Sequence, residues 1–366
     1  MKIALVQDWL TGMRGGEKVL EKICTLYPEA PVYTMVHDRG SVSEIIENRE
    51  IKTSLLQRLP LGVSRYRYFL PLMPILVKSL DTSSYDLVIS TSHCVAKNVK
   101  PVKGGVHICY CHTPMRYIWD MFGHYFSLRE NTAVYLMMKL FRPYLRRADV
   151  RASGNVDHFI ANSRTTAERI KRYYGRESEV IYPPVDTEFY TPSGDVNREG
   201  YYLIVSSLVP YKKIGIAVEA FNKSGRKLRI IGSGPEEKKL KGASGRNIEF
   251  QGWRGAEALR DNYRRCRGLI FPGVEDFGIV PVEAMACGAP VIAYRKGGVT
   301  ESVIDNVTGM FFNEQKAESL NETLNRFEKI KLDTGRIRAR AEEFSEESFL
   351  SRFKSFTERR SGEARR

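Results

Sequence analysis

The chain has 366 residues, and this length suits two domains of ordinary size. It is 42% hydrophobic and 27% charged, which excludes collagen-like, low-complexity and plainly disordered chains. The opening residues lack the pattern of a signal peptide and no apolar run is long enough to span a membrane, so we expect a cytoplasmic protein. The formal net charge of +14 indicates anionic partners: nucleic acid, phosphate esters or an acidic membrane face.

The first half of the chain alternates between apolar runs and helical patterns. Residues 2–6 form an apolar, β-rich run, the glycine-rich stretch 11–16 follows, and apolar residues then recur at helical spacing as far as Tyr27. Continuous apolar runs predict a parallel sheet covered on both faces. The further predicted elements are strands 32–36, 85–91, 106–111, 158–162 and 179–182, and a helix over 165–174.

The second half repeats this rhythm after a break. Pro183 and Pro184 end the first series, because the residue before a proline is disfavoured in a helix, and the polar segment 183–200 predicts a linker. The tail 314–360 has a polar, helical pattern. The predicted elements between them are strands 201–207, 227–232, 247–252, 268–272 and 290–294, and helices 214–222 and 280–287.

Two consecutive α/β domains, each a doubly wound parallel sheet, follow from this order of elements. We place them at 1–182 and 183–345, and we expect 346–366 to form a C-terminal helix or tail that crosses back to the first domain. Doubly wound sheets bind ligands at the carboxyl ends of their strands. Two such domains facing each other would leave a central cleft.

The segment 275–289 carries the strongest chemical signal. Glu275 lies in the loop after a predicted strand, and Glu283 lies about one turn into the helix that follows. The N–H groups at the start of a helix favour phosphate or hydroxyl oxygens. A carboxylate on each side suits hydrogen bonds to the vicinal hydroxyls of a sugar or ribose. A single glutamate here would more simply stabilise its own helix; the pair favours a binding site.

The sequence of this segment, EDFGIVPVEAMACGAPVIA, resembles that of family 4 glycosyltransferases of the GT-B fold, in which two glutamates eight positions apart are characteristic. The resemblance covers nearly the whole chain. HTPMRYIWD at 112–120 makes it similar to bacterial mannosyltransferases of O-antigen and exopolysaccharide assembly. The other stretches that carry the resemblance are the N-terminal glycine-rich loop, IANS at 160–163, IYPPVD at 181–186, LVPYKK at 208–213 and the GG-x-x-E stretch at 297–301.

The resemblance implies a role for each matching residue. Glu283 would bind the donor ribose, and Glu275 would contact the donor sugar. Lys212 would neutralise the diphosphate, and His112 would face the donor sugar across the cleft. The resemblance implies Glu275, Lys212 and His112 as catalytic residues. The remaining backbone contacts to the donor would come from Gly15, Gly16, Phe277, Gly278, Ile279 and Val280.

One position departs from the family pattern. Ser207 stands where family members usually have an arginine that contacts the phosphates, so the charge clamp on the diphosphate lacks a member. Arg14, Lys213 or Arg254 would compensate. Gly232, at a strand end, would flank the nucleotide base. Without the resemblance, Lys212 is as readily a solvated lysine, His112 a packed histidine, and Gly15 and Gly16 a tight turn.

These features predict a retaining, metal-independent glycosyltransferase without a cofactor. The resemblance favours GDP-mannose as donor and a saccharide or lipid-linked saccharide as acceptor; UDP-glucose is the alternative donor. No D-x-D motif of metal-dependent transferases is present. An epimerase or phosphorylase of the same fold remains an alternative reaction. A nucleic-acid-binding protein fits the charge but lacks a recognition motif, so we expect no specific nucleic acid.

Two further sequence features concern partners and redox state. Residues 55–80 and 134–151 mix basic with aromatic and apolar residues, which suits helices lying on an anionic inner membrane surface. The alternative is two core-packed helices with solvated basic residues. The six cysteines have no metal-binding spacing, and we interpret them as reduced thiols.

Overall fold

The computed structural model describes residues 1–126, 132–194 and 198–363. The chain divides into two compact units. The first contains Met1–Pro184 together with the chain from Glu347 onward, and the second contains Val185–Glu346. In the described residues, no helix is both long and apolar enough to cross a membrane.

The first unit is built on a parallel sheet. Its strands are β1 (Ile3–Gln7), β2 (Val32–Thr34), β3 (Ile51–Thr53), β4 (Leu87–Ser92), β5 (Val106–Cys111), β6 (His158–Ala161) and β7 (Ser178–Val180). Its helices before residue 184 are α1 (Gly15–Leu26), α2 (Glu44–Glu47), α3 (Met73–Leu76), α4 (Phe122–Tyr125), α5 (Thr132–Ser153) and α6 (Arg164–Tyr174). Over the described residues the strand order is β3-β2-β1-β4-β5-β6-β7.

The second unit repeats this plan. Its strands are β8 (Tyr201–Val205), β9 (Lys227–Ile231), β10 (Ile248–Gly252), β11 (Gly268–Phe271), β12 (Val291–Tyr294) and β13 (Gly309–Phe312). Its helices are α7 (Ile214–Ser224), α8 (Glu237–Gly242), α9 (Ala256–Arg265), α10 (Ile279–Ala286), α11 (Val299–Ser302), α12 (Ala317–Phe327) and α13 (Thr334–Glu342). The strand order within the part described is β10-β9-β8-β11-β12-β13.

The strands pair in parallel throughout the described part of both sheets, as in Leu5 opposite Ile89 and Leu269 opposite Val291. The chain winds outward from β1 in the first unit and from β8 in the second, then returns to the other side of that strand. The strand order therefore reverses between β1 and β4 and between β8 and β11. A crevice opens outside the strand ends at such a reversal, and this is where ligands bind in folds of this kind. The predicted α/β class is confirmed.

Apolar side chains explain both cores. The central strands of each sheet, such as β4, β5 and β11, are buried along their length because helices cover both faces of the sheet. Helix α1 shows the amphipathic pattern: Val19, Leu20, Ile23 and Cys24 are buried at helical spacing, while most residues on its other side are more exposed to solvent. All six cysteines are buried and free.

The last helix, α14 (Glu346–Glu363), belongs to the first unit for almost its whole length. Phe349, Phe353 and Phe356 are buried in the core on one face of the first sheet, where the ring of Phe349 lies 5.9 Å from that of Tyr110. On the helix surface, Arg352 donates a hydrogen bond to the carbonyl of Val180 (2.8 Å). This helix therefore completes a core that residues 1–184 leave open.

Residues 55–80 are not one helix, contrary to the sequence-based prediction. They form short 3-10 turns at Leu55–Arg58, Tyr66–Phe69 and Val77–Ser79, with the single turn of α3 between the last two. Pro60, Pro71 and Pro74 remove backbone donors and restrict the residues that precede them. The second basic segment, 134–151, does lie in a helix, α5.

His107 gives the first unit a testable pH dependence. It is fully buried on β5, and because a carbonyl only accepts, its Nδ1 donates to the carbonyl of Asn155 (2.9 Å), while Nε2 accepts from the Ser90 hydroxyl (2.8 Å). Burial lowers the pKa of His107 to about 4. The unfolded chain binds the proton near pH 6.5, so folded-state stability falls as pH drops from 6.5 to 4, by about 3 kcal/mol from this group.

We expect His107→Gln to flatten that part of the pH profile, because glutamine also donates and accepts but does not titrate. Urea unfolding of both proteins at a series of pH values measures the difference. Parallel profiles for His107→Gln and the parent between pH 6.5 and 4 would contradict the assignment.

Candidate functional site

The reversal point of the second sheet carries an ion pair. The loop after β8 forms a 3-10 turn, Pro210–Lys212, and the loop after β11 contains Glu275. The Nζ of Lys212 is paired with Oε1 of Glu275, and the two side chains are 16% and 24% exposed. Two loops on adjacent strands thus bring a cation and a carboxylate together at the strand ends, where they remain accessible to a ligand.

Glycines allow this approach because they let backbones touch. A Cβ on Gly273 would lie 3.0 Å from the carbonyl oxygen of Lys212, closer than ordinary contact. After β12, Gly297 and Gly298 pack under the Glu275 loop, and the N–H of Gly298 donates to the carbonyl of Glu275 (2.9 Å). A Cβ on Gly298 would overlap the carbonyl oxygen of Asp276. The GG-x-x-E stretch, residues 297–301, therefore packs against the backbone of the Glu275 loop and holds it in place.

Gly298→Ala should destabilise the second unit by about 2–3 kcal/mol, because the added methyl group meets backbone that has no room to shift. Gly298 has a helical backbone conformation that alanine tolerates, so the effect is steric alone. Gly242→Ala is the matched control: it ends helix α8 with no atom near its Cβ position and should be neutral or stabilising. Chemical denaturation compares the two; equal midpoints would contradict close packing at Gly298.

Helix α10 begins at this site. Gly278 precedes it with a φ of +90°, a conformation that L side chains rarely adopt, and Phe277 anchors the turn in the interior, 5.5 Å from the ring of Phe344. The first turn contains Ile279 and Val280. N–H groups in the first turn of a helix have no partner within it, so they offer donors to an anion or a hydroxyl group.

Glu283 lies one turn further along α10 and is 5% exposed. Its Oε2 accepts a hydrogen bond from the hydroxyl of Tyr263 on α9 (3.1 Å). Burial, with the charge of Glu283, raises the pKa of Tyr263 well above its ordinary value, so the phenol stays a donor. Tyr263 therefore helps to fix the orientation of the Glu283 carboxylate.

The strand ends on the other side of β8 are glycine-lined. Ser207 is exposed and Lys213 has a φ of +56° just before α7. Gly232 has a φ of +134° and no space for a Cβ against the carbonyl of Ser206, and its N–H donates to Gly252 (2.7 Å). The turn that carries Arg254 thus adjoins the turn at Gly232.

The first unit gathers the other expected residues. Gly15 and Gly16 begin α1 at the end of β1, and His112 follows β5. A Cβ on Gly16 would lie 3.4 Å from Nε2 of His112. That nitrogen is buried and has no hydrogen-bond partner within the described residues, and burial lowers the pKa of His112 to about 3. A neutral imidazole with an unsatisfied polar atom faces the start of α1 and offers it to a ligand.

Two residues of this cluster were missed by the sequence analysis. Asp8 and His93 directly follow β1 and β4, the strands that flank the reversal point. The fully buried carboxylate of Asp8 accepts four backbone hydrogen bonds, from residues 93–96 (2.6–2.8 Å), and lies 3.2 Å from Nδ1 of His93. Burial lowers the pKa of His93. Their positions two residues beyond the predicted strands 2–6 and 85–91 were the available signal.

The expected residues therefore fall into two groups, one in each unit. Lys212 and Glu275 are in direct contact, with Glu283 on the helix that follows their loop. Gly16 and His112 adjoin each other in the first unit. Each group lies at the strand ends of its own sheet.

Two doubly wound parallel sheets, each with charged or polar groups at its strand ends, are the architecture of the GT-B class. The chain matches the family model of glycosyl transferases group 1 over residues 187–346 and that of glycosyltransferase family 4 over residues 17–189. It belongs to the family 4 glycosyltransferases.

Sequence relatives match part of the chain. An uncharacterized glycosyltransferase of Methanocaldococcus jannaschii is 32% identical over 178 residues, which cover 47% of the chain and 50% of the relative. A GDP-mannose-dependent α-(1-6)-phosphatidylinositol monomannoside mannosyltransferase of Mycolicibacterium smegmatis is 30% identical over 46% of the chain and 52% of its own length. The chain thus spans about half the length of the curated relatives it matches.

A solved structure matches the whole chain. HepE of Anabaena, crystallised with UDP-glucose, superposes with a TM-score of 0.71 over 98% of this chain and 100% of its own, at 19% identity. At that identity the likeness shows the fold.

Proposed function

We propose that the chain transfers a hexose from a nucleotide-sugar donor to an acceptor hydroxyl, with retention of anomeric configuration and without a metal ion. One observation carries the proposal: the Lys212–Glu275 ion pair lies at the reversal point of the second sheet, in the loop that leads into α10 and Glu283. A cation, a helix N-terminus and two carboxylates are the groups that a diphosphate, a hexose and a ribose require.

The leaving group is stabilised first. When the bond between the anomeric carbon and the diphosphate breaks, negative charge develops on the phosphate oxygens. Lys212 neutralises that charge, and the first N–H groups of α10 add fixed dipoles that need no reorganisation. A lysine and a helix terminus supply what a divalent cation supplies elsewhere, and Lys213 adds a second positive charge next to Lys212.

The sugar and ribose are held by carboxylates. Glu275 accepts hydrogen bonds from hydroxyls of the hexose, with the backbone from Phe277 to Val280 beside it, and Glu283 accepts from the ribose hydroxyls. Charge-assisted hydrogen bonds of this kind are about twice as strong as neutral ones. Gly232 lets its strand end pack directly against the backbone of Ser206, and this turn flanks the nucleotide base.

The first unit serves the acceptor and part of the donor. His112 contacts the donor sugar, and Gly15 and Gly16 let the backbone at the start of α1 approach the diphosphate. We propose a same-face displacement: the acceptor oxygen bonds to the anomeric carbon on the side that the diphosphate leaves, and the hydroxyl proton passes to a departing phosphate oxygen. This displacement requires no nucleophilic carboxylate on the opposite face of the sugar.

GDP-mannose is the donor we favour, because the mannosyltransferase of M. smegmatis that matches the chain uses it. UDP-glucose is the alternative, supported by the HepE complex. The proposed acceptor is a saccharide or lipid-linked saccharide of surface-polysaccharide assembly, reached from the cytoplasmic side of the membrane. No resident cofactor is needed.

A thermal-shift screen against GDP-, UDP- and ADP-sugars tests donor binding, because a ligand that binds the native state alone raises the melting temperature. The best nucleotide sugar is then assayed for release of nucleoside diphosphate. Release with transfer of the sugar supports the proposal. Three other results would each overturn the proposal. An isomerised nucleotide sugar without diphosphate release indicates an epimerase, and formation of a sugar 1-phosphate from a saccharide and inorganic phosphate indicates a phosphorylase. A melting temperature raised by mixed-sequence DNA alone indicates nucleic-acid binding.

A further inference from the structure

A basic and apolar face lies on the first unit. It consists of residues 55–79 and the outward side of α5, and we call it the basic–apolar face. Helix α3, in the first segment, packs against α5. Both segments bury their other side in one core cluster, through Leu56, Tyr66, Leu70, Met73 and Val77 from the first and Met138 and Leu145 from α5.

The outward side of both segments is unusually apolar. Leu140 on α5 is 76% exposed, and Leu61, Tyr68 and Ile75 in the first segment are 58%, 67% and 60% exposed. Other large apolar side chains of the face that are exposed are Leu55, Leu59, Leu72, Leu136, Met137 and Tyr144. Single exposed apolar residues are ordinary on a protein surface, but a concentration of ten on two packed segments marks an interaction surface.

Positive charge accompanies these residues. Residues 51–80 contain five Lys or Arg and no Asp or Glu, and residues 132–148 contain four Lys or Arg and no Asp or Glu. Arg58, Arg65 and Lys78 are exposed in the first segment, and Lys139 and Arg147 are exposed on α5. An anionic lipid surface favours a face that carries basic residues and no acidic ones. A protein partner of mixed surface charge would be matched by a face that carries both.

We propose that the basic–apolar face docks on the surface of an anionic phospholipid bilayer. The leucine, isoleucine, methionine and tyrosine side chains enter the boundary between head groups and acyl chains, while the long basic side chains reach the lipid phosphates. The chain lies on the bilayer and does not cross it. The link between this face and catalysis rests on the proposed function, since a lipid-linked acceptor would be presented at the same surface.

Vesicle flotation tests the face without donor or acceptor. The full chain should float with vesicles of phosphatidylcholine containing about a third phosphatidylglycerol and stay behind with phosphatidylcholine alone. Raising NaCl from about 0.1 M to about 1 M shortens the screening length from about 10 Å to about 3 Å and should release the chain. Because no sugar is transferred, failure here leaves nucleoside diphosphate release, and so the proposed function, intact.

Two sets of variants locate the contact. Leu140→Gln with Ile75→Gln should weaken partitioning about tenfold or more, because both side chains are already solvent-exposed and only membrane insertion buries them. The control pair Ile45→Gln with Ile304→Gln, at exposed isoleucines outside the face, should have no effect. Partitioning to anionic vesicles should fall roughly a hundredfold in the triple variant Arg58→Gln, Arg65→Gln, Lys139→Gln, because each removed charge weakens it about fivefold.

The charge control is Lys238→Gln, Lys329→Gln and Lys331→Gln, which changes the net charge equally at exposed lysines of the second unit. Equal losses in the test and control sets would overturn the proposal, because binding would then follow net charge and not this face. So would equal flotation with neutral vesicles, or a self-associated chain that Leu140→Gln with Ile75→Gln dissociates in sedimentation, since a second copy would then cover the face.

Discussion

Lys212→Ala is expected to lower kcat for donor turnover by about 10²- to 10³-fold, the usual cost of removing one preorganised group that stabilises developing negative charge. The loss should fall on kcat more than on KM, because the diphosphate gains most of its negative charge as the glycosidic bond breaks. The measurement is release of nucleoside diphosphate with the nucleotide sugar that most raises the melting temperature.

Two companion variants separate chemistry from folding. Lys212→Arg keeps the charge and should recover a large part of the rate. A purely structural ion pair with Glu275 would instead make Lys212→Ala lower the free energy of unfolding, with no selective loss in kcat. Lys223→Ala removes an exposed lysine paired with Glu219 and Glu318 in the same unit, and it should leave turnover unchanged. Full activity in Lys212→Ala would remove the central element of the proposed mechanism.

Glu283→Gln is the second large expected effect: donor affinity should fall about 10- to 100-fold. Glutamine has nearly the same volume but only one accepting oxygen and no charge, so it loses charge-assisted hydrogen bonds to the ribose hydroxyls. Glutamine can keep the contact with Tyr263, because its amide oxygen also accepts a hydrogen bond. Calorimetric titration with nucleoside diphosphate alone measures the loss, because the ribose contact does not involve the sugar.

Tyr263→Phe is the matched variant for Glu283. It removes the hydroxyl that donates to Oε2 (3.1 Å) and leaves the carboxylate in place, so donor affinity should fall by less than in Glu283→Gln. If instead Tyr263→Phe weakens binding as much, Glu283 acts only through its contact with Tyr263. Unchanged nucleotide affinity in Glu283→Gln would exclude the ribose role.

The central strands could be predicted from the sequence because they are buried on both faces. Continuous apolar runs identified β5 at residues 106–111 without error and β11, β12 and β8 within two residues at each end. Edge strands could not be predicted in the same way. β3 has three residues, none of them buried, and its hydrogen bonds to β2 form only once the sheet exists.

The segment 55–80 shows a second limit of pattern analysis. Its apolar residues recur as in an amphipathic helix, but its prolines break the backbone into short turns, which bury Leu56, Tyr66, Leu70 and Met73 in one core cluster nevertheless. A core requires apolar side chains at particular places in space, and several backbone conformations satisfy it. The three prolines of this segment argue against a continuous helix despite the apolar periodicity, and they favour the short turns that are observed.

At the candidate site, the sequence separation of Glu275 and Glu283 indicated the loop and helix that carry them, because a strand, a glycine turn and a helix start are local features. The contact between Lys212 and Glu275 is not local: it joins residues 63 positions apart through strand order. Asp8 and His93 are related in the same way, 85 positions apart. A single sequence does not encode such pairs in any short pattern.

The placement of α14 has a consequence for how the chain is made. During synthesis, residues 1–184 emerge first, but the three phenylalanines that close one face of their sheet are added only after the whole second unit. The second unit has all its strands by residue 312 and can become native while the first still exposes Leu5, Ile108 and Tyr110. We expect maturation to run in the reverse of translation order, with a nascent intermediate that chaperones recognise.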